Sequence, residues 1–305
     1  MNKSFTLIEI LVVIVVIGIL SAFILVGTSS ITNSANIAKS KAFSDSIRNS
    51  LLNSLVSEYK FEGPTSVDSL ATTSDVTDSW KTNNSNALNG NPYIKGDCLS
   101  NKCIAFDGIG DTFSIPDSIS LDEIFGTENF TLEAWIMPVY RNDYQGVINK
   151  RTNDYYSASP GGIFINNVGD SAVFLIGTGN PSETWVGITT SISGLHGKWI
   201  HIVGTAGGGY MKLYLNSIQK GNTVPITVNP PTNNEPMTIG GFYANVRSFS
   251  GQIDEVRIYN NPISLSKIKE NYYLGLSKLL KNKNIALNEF NQRLTELKSN
   301  LATHE

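Results

Sequence analysis

A chain of 305 residues is too long for a minimal domain and fits one large domain or two smaller ones. Charged side chains make up only 16% of it, against about 25% in a typical soluble domain, and Asn, Ser, Thr and Gly stand in their place, a composition suited to turns and to an all-β body. The net charge of −3 excludes a general nucleic-acid binder, which needs a basic face.

The charge is uneven. Residues 1–60 and 263–305 are net basic and the stretch between them is net acidic, which divides the chain into three. At the N-terminus, Lys3 precedes an apolar run over residues 5–26, in which Thr6, Glu9 and Ser21 are the polar side chains. About 20 apolar residues span a bilayer core, and the upstream lysine favours a cytoplasmic N-terminus. A secretory signal would end in a small-x-small site after a shorter run, whereas here Ser21-Ala22 is followed by Phe23-Ile24-Leu25-Val26. A plain anchor leaves Glu9 unexplained, because a carboxylate inside a span costs about 2.5–3.5 kcal/mol and is kept for a partner.

The stretch Lys3-Ser4-Phe5-Thr6-Leu7-Ile8-Glu9 resembles the cleavage and methylation signal of type IV prepilins and type II secretion pseudopilins. The resemblance implies a leader over 1–4, cleavage by a prepilin peptidase between Ser4 and Phe5, and methylation of the new amine. Ser4 stands where that family has Gly. It also implies that Glu9 pairs with the N-terminal amine of a neighbouring pilin-like subunit, and a buried carboxylate does need a cation. Beyond Gly27, the residues Ile31, Ala35, Ala38, Ala42 and Ile47 recur at near-helical spacing. One helix is therefore expected over 5–53, about 70 Å long at 1.5 Å per residue. Gly63-Pro64 bars any helix from running further.

From residue 55 the period changes to two. Phe130, Leu132, Ala134 and Ile136 alternate with Thr131, Glu133 and Trp135, a half-buried strand pattern. Trp199–Val203, Tyr210–Asn216 and Ile253–Tyr259 are further β-rich runs, separated by Gly- and Pro-rich turn signals. Many short strands with regular punctuation mean a sandwich or jelly roll. Cys98 and Cys103 lie close together in a loop-like stretch with no histidine near them, which speaks against zinc. A small disulfide loop outside the cytoplasm is the favoured reading, with two free thiols as the alternative.

The order of the pieces resembles the laminin-G-like domains of the concanavalin A-like lectin and glucanase superfamily. They are Leu55–Phe61, the Asn-rich stretch from Asp78 to Leu88, Cys103–Gly108, Phe130–Ile136, Trp199–His201, Leu213–Asn216 and Gly251–Asn260. Ser217 stands where the family's hairpin has Gly. The resemblance implies a fold that is mainly β, with a concanavalin A-like jelly-roll sandwich over 55–262. It also makes Asp78, Asn83 and Asp254 the candidates for calcium, which takes oxygen ligands. The alternative for these residues is turn capping and hydrogen bonding to backbone amides.

Glucanase chemistry needs two carboxylates set across a sugar, and on a strand they would read Glu-x-Asp-x-Glu. No such triplet occurs, and the adjacent Asp254 and Glu255 are expected on opposite strand faces, so no catalytic residue is assigned. His201, inside an apolar strand, reads as a packed histidine; His196 and His304 have no evident partner. Sugar binding would use exposed aromatics, for which Tyr140, Tyr144, Tyr155, Tyr156, Trp185 and Tyr243 lie in loop-like contexts.

From Ser264 the period is helical again. Ser264 or Ser266 caps a helix carrying Leu265, Ile268, Tyr272, Leu276, Leu279 and Leu280, and Asn282-Lys283-Asn284 breaks it. A second amphipathic helix carries Ile285, Leu287, Phe290, Leu294, Leu297 and Leu301. This short helical hairpin over 263–305 either packs against the rest of the chain or docks on a neighbouring subunit.

Together these expectations describe a subunit of a type IV pilus or related filament, displaying a non-catalytic, carbohydrate- or surface-binding lectin-like head. It would be anchored in the cytoplasmic membrane with its head outside and reach the cell surface or pilus after processing. A type II secretion pseudopilin, or a membrane-tethered lectin-like protein that never polymerises, is the alternative.

Overall fold

The computed structural model describes residues 54–150, 160–166, 170–180, 183–227, 230–242 and 247–302. Ser4, Phe5, Glu9 and the expected helix over 5–53 lie outside them, as do Tyr155, Tyr156, Tyr243 and His304. Among the described residues no helix is long and apolar enough to cross a membrane.

Among the described residues, fifteen strands form two antiparallel sheets. In chain order they are β1 (Leu55–Tyr59), β2 (Ala87–Asn89), β3 (Tyr93–Lys95), β4 (Cys103–Asp107), β5 (Thr112–Ile115), β6 (Phe130–Pro138), β7 (Tyr144–Lys150), β8 (Gly161–Asn166), β9 (Ser171–Asn180), β10 (Glu183–Ser191), β11 (Ile200–Gly207), β12 (Tyr210–Leu215), β13 (Ile218–Pro225), β14 (Met237–Ile239) and β15 (Ser250–Tyr259). Sheet A runs β13-β12-β11-β6-β15-β4-β3 with β1 added beside β15, and sheet B runs β10-β9-β8-β7-β14-β5-β2. Among the described residues three α-helices accompany them, α1 (Ile119–Phe125), α2 (Leu265–Lys281) and α3 (Leu287–Ala302), with a short 3-10 turn at Thr73–Asp75.

The strands form where side chains alternate. Leu132, Ala134, Ile202, Leu213 and Ile253 point inward from sheet A; Phe113, Ile163, Phe174 and Ile239 meet them from sheet B in one buried cluster. Phe130 and Phe174 cross between the sheets with ring centroids 6.0 Å apart. Burying an aliphatic or aromatic side chain contributes about 1.5–3 kcal/mol relative to exposure, so this shared core is the main stabilising feature.

Strand β6 departs from the half-buried expectation, because its outward residues Glu133 and Trp135 are also buried. The C-terminal hairpin covers them. Trp135 stacks on Tyr272 of α2 at 5.7 Å, and a second apolar cluster joins Trp135 and Trp199 to Leu276, Leu279, Ile285 and Leu297. The hairpin therefore belongs to the same compact unit as the sandwich, residues 54–305. Ser264 is the cap of α2 and its hydroxyl accepts from Lys267 N at 3.2 Å. Leu287, counted on the apolar face from sequence, is 61% exposed.

Candidate ligand-binding rim

Sheet B presents its second face outward. Along β8 and β9 the inward residues are Ile163, Ile165, Ala172, Phe174 and Ile176, so pleating turns Phe164, Val173 and Leu175 to the other side. There Phe164 stacks on Phe242 at 5.1 Å. The Arg247 guanidinium lies 4.9 Å from the Tyr144 ring centre and 5.7 Å from that of Phe242, a cation–π arrangement. Asn149 faces the same way and is buried; its amide donates to Gly241 O at 3.4 Å and its Oδ1 has no hydrogen-bond partner. A Cβ on Gly162 would come within 2.6 Å of that oxygen, so only glycine leaves room there.

At one end of this sheet Asp170, just before β9, meets residues of the β6–β7 and β10–β11 connections. His196 Nε2 is 2.5 Å from Asp170 Oδ1. A carboxylate accepts only, so the ring N–H donates, and the other ring nitrogen, Nδ1, is buried without a partner. Tyr140 meets His196 edge-on at 5.5 Å and is 58% exposed. Tyr144 follows four residues later, also exposed, at the register of Asn166 beside the start of β9. The rim thus offers two accessible aromatic rings flanked by a His–Asp pair and a guanidinium. Such a surface can hold a flat apolar face while hydrogen-bonding its polar edge.

Residues 107–269 match the family model described as the concanavalin A-like lectin/glucanases superfamily, laminin G type, a span exceeding half of the chain. The chain belongs to this superfamily. Residues 1–25 match a prokaryotic N-terminal methylation motif. No curated protein matches the chain significantly. Among solved structures, the receptor binding domain of botulinum neurotoxin C/D mosaic serotype superposes with a TM-score of 0.55 at 15% identity, over 72% of this chain and 51% of that one. The binding domain of Paraclostridial Mosquitocidal Protein 1 gives 0.54 at 18% identity over 74% and 53%. Domain 4 of AbnA, an extracellular arabinanase from Geobacillus stearothermophilus solved with arabinotriose, gives 0.50 at 16% identity over 71% and 97%. The chain spans about half the length of the toxin domains. At these identities the likeness is one of fold.

Within this concanavalin A-like module the sequence-derived candidates fall apart into separate places. Tyr140 and Tyr144 share the rim, whereas Trp185 sits on β10 opposite Gly177, toward the other end of the sheet. His196, without an evident partner in sequence, pairs with Asp170, 26 positions away. Arg247, Phe164 and Phe242 carried no sequence signal of their own, since only strand pairing brings them beside Tyr144. His201 is buried, its Nε2–H donating to Glu133 Oε1 at 2.9 Å, and is packed on Trp135.

The calcium candidates are engaged by the protein itself. Asp78 accepts from Glu58 N, Thr82 Oγ1, Thr82 N and Asn83 N at 2.8–3.3 Å. Asn83 is bound through its amide to Ser57 and Ser118, tying β1 to the α1 cap. Asp254 accepts from Leu99 N, Ser100 N and Glu255 N. Both carboxylates thus already accept hydrogen bonds from the protein, and Asp78 and Asp254 serve different loops. Among the described residues no three His, Cys, Asp or Glu side chains cluster as metal ligands.

One expectation is corrected outright. Asp254 and Glu255 do not point to opposite faces: Glu255 holds φ +49° and the register shifts there. This bulge, where β15 exchanges β4 for β1 as its neighbour, turns both carboxylates toward the loop from Cys98 to Cys103. That loop is closed by a disulfide with a Cα–Cα separation of 5.6 Å.

Proposed function

We propose that this chain is a pilin-like subunit of a type IV pilus or related filament. Its concanavalin A-like head binds carbohydrate at the sheet B rim and performs no catalysis. The observation that carries the reading is the union, in one chain, of an N-terminal methylation motif and a lectin-type module with Tyr140 and Tyr144 exposed beside polar partners. A prepilin peptidase and other pilin-like subunits are then its partners, with the head on the extracytoplasmic side of the membrane. Support for a non-catalytic head comes from the carboxylates themselves. Glu58, Glu133 and Glu255 are bound to Arg257, and Glu133 is fully buried beneath α2, so they are not poised across an open cleft.

Two measurements test this. Intact-mass and N-terminal analysis of the protein from its native membranes is expected to give a chain starting at N-methylated Phe5. A start at Met1 or Asn2 would overturn the filament reading and leave a membrane-tethered lectin-like protein. On a glycan array, the double variant Tyr140→Ala, Tyr144→Ala is expected to lose binding about tenfold, roughly 1.4 kcal/mol. An array on which the wild-type chain binds nothing would sink the carbohydrate assignment.

A further inference from the structure

The outer face of sheet A is only partly covered by the C-terminal hairpin. Between β12, β13 and the start of α2 runs a groove of about 460 Å³. Its walls include Tyr210 and Lys212 of β12, Ser217 and Gln219 of the β12–β13 hairpin, and Ser264 and Lys269 at the N-terminal end of α2. No Asp or Glu lines it, although the stretch of chain that supplies the strands is net acidic. Two lysines and the first residues of a 17-residue helix therefore line one hollow, and a helix N-terminus carries about half a positive charge.

Ser217 gives the groove its second, independent mark. The residue is 2% exposed, and its hydroxyl is buried with no hydrogen-bond partner. It also holds φ +66°, a backbone region that glycine occupies with less strain. An unpaired buried hydroxyl and a strained non-glycine residue both work against stability. The backbone strain belongs to the two-residue β12–β13 turn, where Asn216 is also left-handed at φ +51°, whereas the unpaired hydroxyl makes sense where a ligand supplies the missing partner. Tyr210, 53% exposed, adds an aromatic face of the kind that takes the apolar side of a sugar ring.

We propose that this groove is a second ligand site, separate from the sheet B rim, that takes a carboxylate-bearing sugar unit. The carboxylate is held by Lys212 and the α2 N-terminus, a sugar hydroxyl meets Ser217 Oγ, and the ring lies on Tyr210.

The test is calorimetric titration of the full-length, detergent-solubilised chain with trigalacturonic acid and with its methyl ester. The acid is expected to bind at least tenfold more tightly than the ester, and more weakly at about 200 mM salt than at about 50 mM. Lys212→Ala should weaken acid binding about tenfold. Ser217→Ala should weaken it while leaving the thermal midpoint unchanged or raised, since a hydroxyl with only a structural role would lower the midpoint when removed. Tyr140→Ala should leave this titration unaltered, so failure of the rim and failure of the groove are distinguishable. Equal binding of acid and ester, or of Lys212→Ala and wild type, overturns the proposal. So does inorganic sulfate binding as tightly as the trimer, which would make the groove a simple anion site.

Discussion

Glu133 sits at an outward strand position, where a carboxylate would ordinarily meet water, yet it is wholly buried under α2. It takes hydrogen bonds from Asn271 and Tyr259 and pairs with His201 and Arg257. Burial alone would raise its pKa; the His201 hydrogen bond and the Arg257 charge overcome this and bring it from the ordinary value of 4.5 down to about 2. A folded pKa below the unfolded one contributes stability that is complete above pH 4.5 and is lost as pH falls through about 2. The linkage is on the order of 3 kcal/mol. Asp254, whose pKa is pushed up by burial and by neighbouring Glu255, acts in the opposite direction and is common to wild type and variant. Urea melts should therefore show Glu133→Gln less stable at pH 7 by about 3 kcal/mol, with a shallower loss between pH 5 and 2. Parallel acid limbs for the two proteins would remove Glu133 from this role. At Ser217 the sign is reversed. Replacing a buried, unpaired serine at φ +66° by glycine should stabilise the fold by about 1 kcal/mol, read as a rise in urea midpoint.

At the scale of elements, α2 was legible from its 3.6-residue period, but the surface it covers was not. Its seat on sheet A is set by Gly275, where a Cβ would stand 2.3 Å from the Trp135 indole. Gly275→Ala thus sets two effects against each other. Helix propensity favours alanine by about 1 kcal/mol, whereas overpacking typically costs about 1–3 kcal/mol. Because the obstructing atoms belong to a fully buried tryptophan stacked on Tyr272, the clash should win. The variant is expected to melt lower, with altered tryptophan fluorescence; an unchanged or higher melting temperature would show that the hairpin slides freely on the sheet. The bulge in β15 is an element-level event of the same kind. Two adjacent acids imply opposite faces under strict alternation, and the left-handed Glu255 cancels that rule.

Over the whole molecule, the sandwich and hairpin form one unit with two cores on the two sides of sheet A. Its oxygen-rich corners are satisfied internally, by amides at Asp78 and Asp254. Thermal melts with EDTA and with millimolar calcium should therefore coincide within about 1 °C. Calcium at 100 times its Kd would contribute about 2.7 kcal/mol and raise the midpoint by several degrees, and such a rise would establish a calcium site.

By itself the sequence determined the class of the molecule. Period-two runs and turn residues specify a sandwich, an apolar segment with Glu9 specifies the N-terminal signal, and two amphipathic helical stretches specify a C-terminal hairpin. These are local patterns, and each is written in consecutive residues. Tertiary structure decided the rest. It joined Asp170 to His196 and Arg247 to Tyr144, set Lys212 and the head of α2 around one groove, and buried the outward face of β6. Those contacts depend on strand order, register and one glycine-sized gap beneath a helix. Each is a relation between distant parts of the chain that no local period encodes.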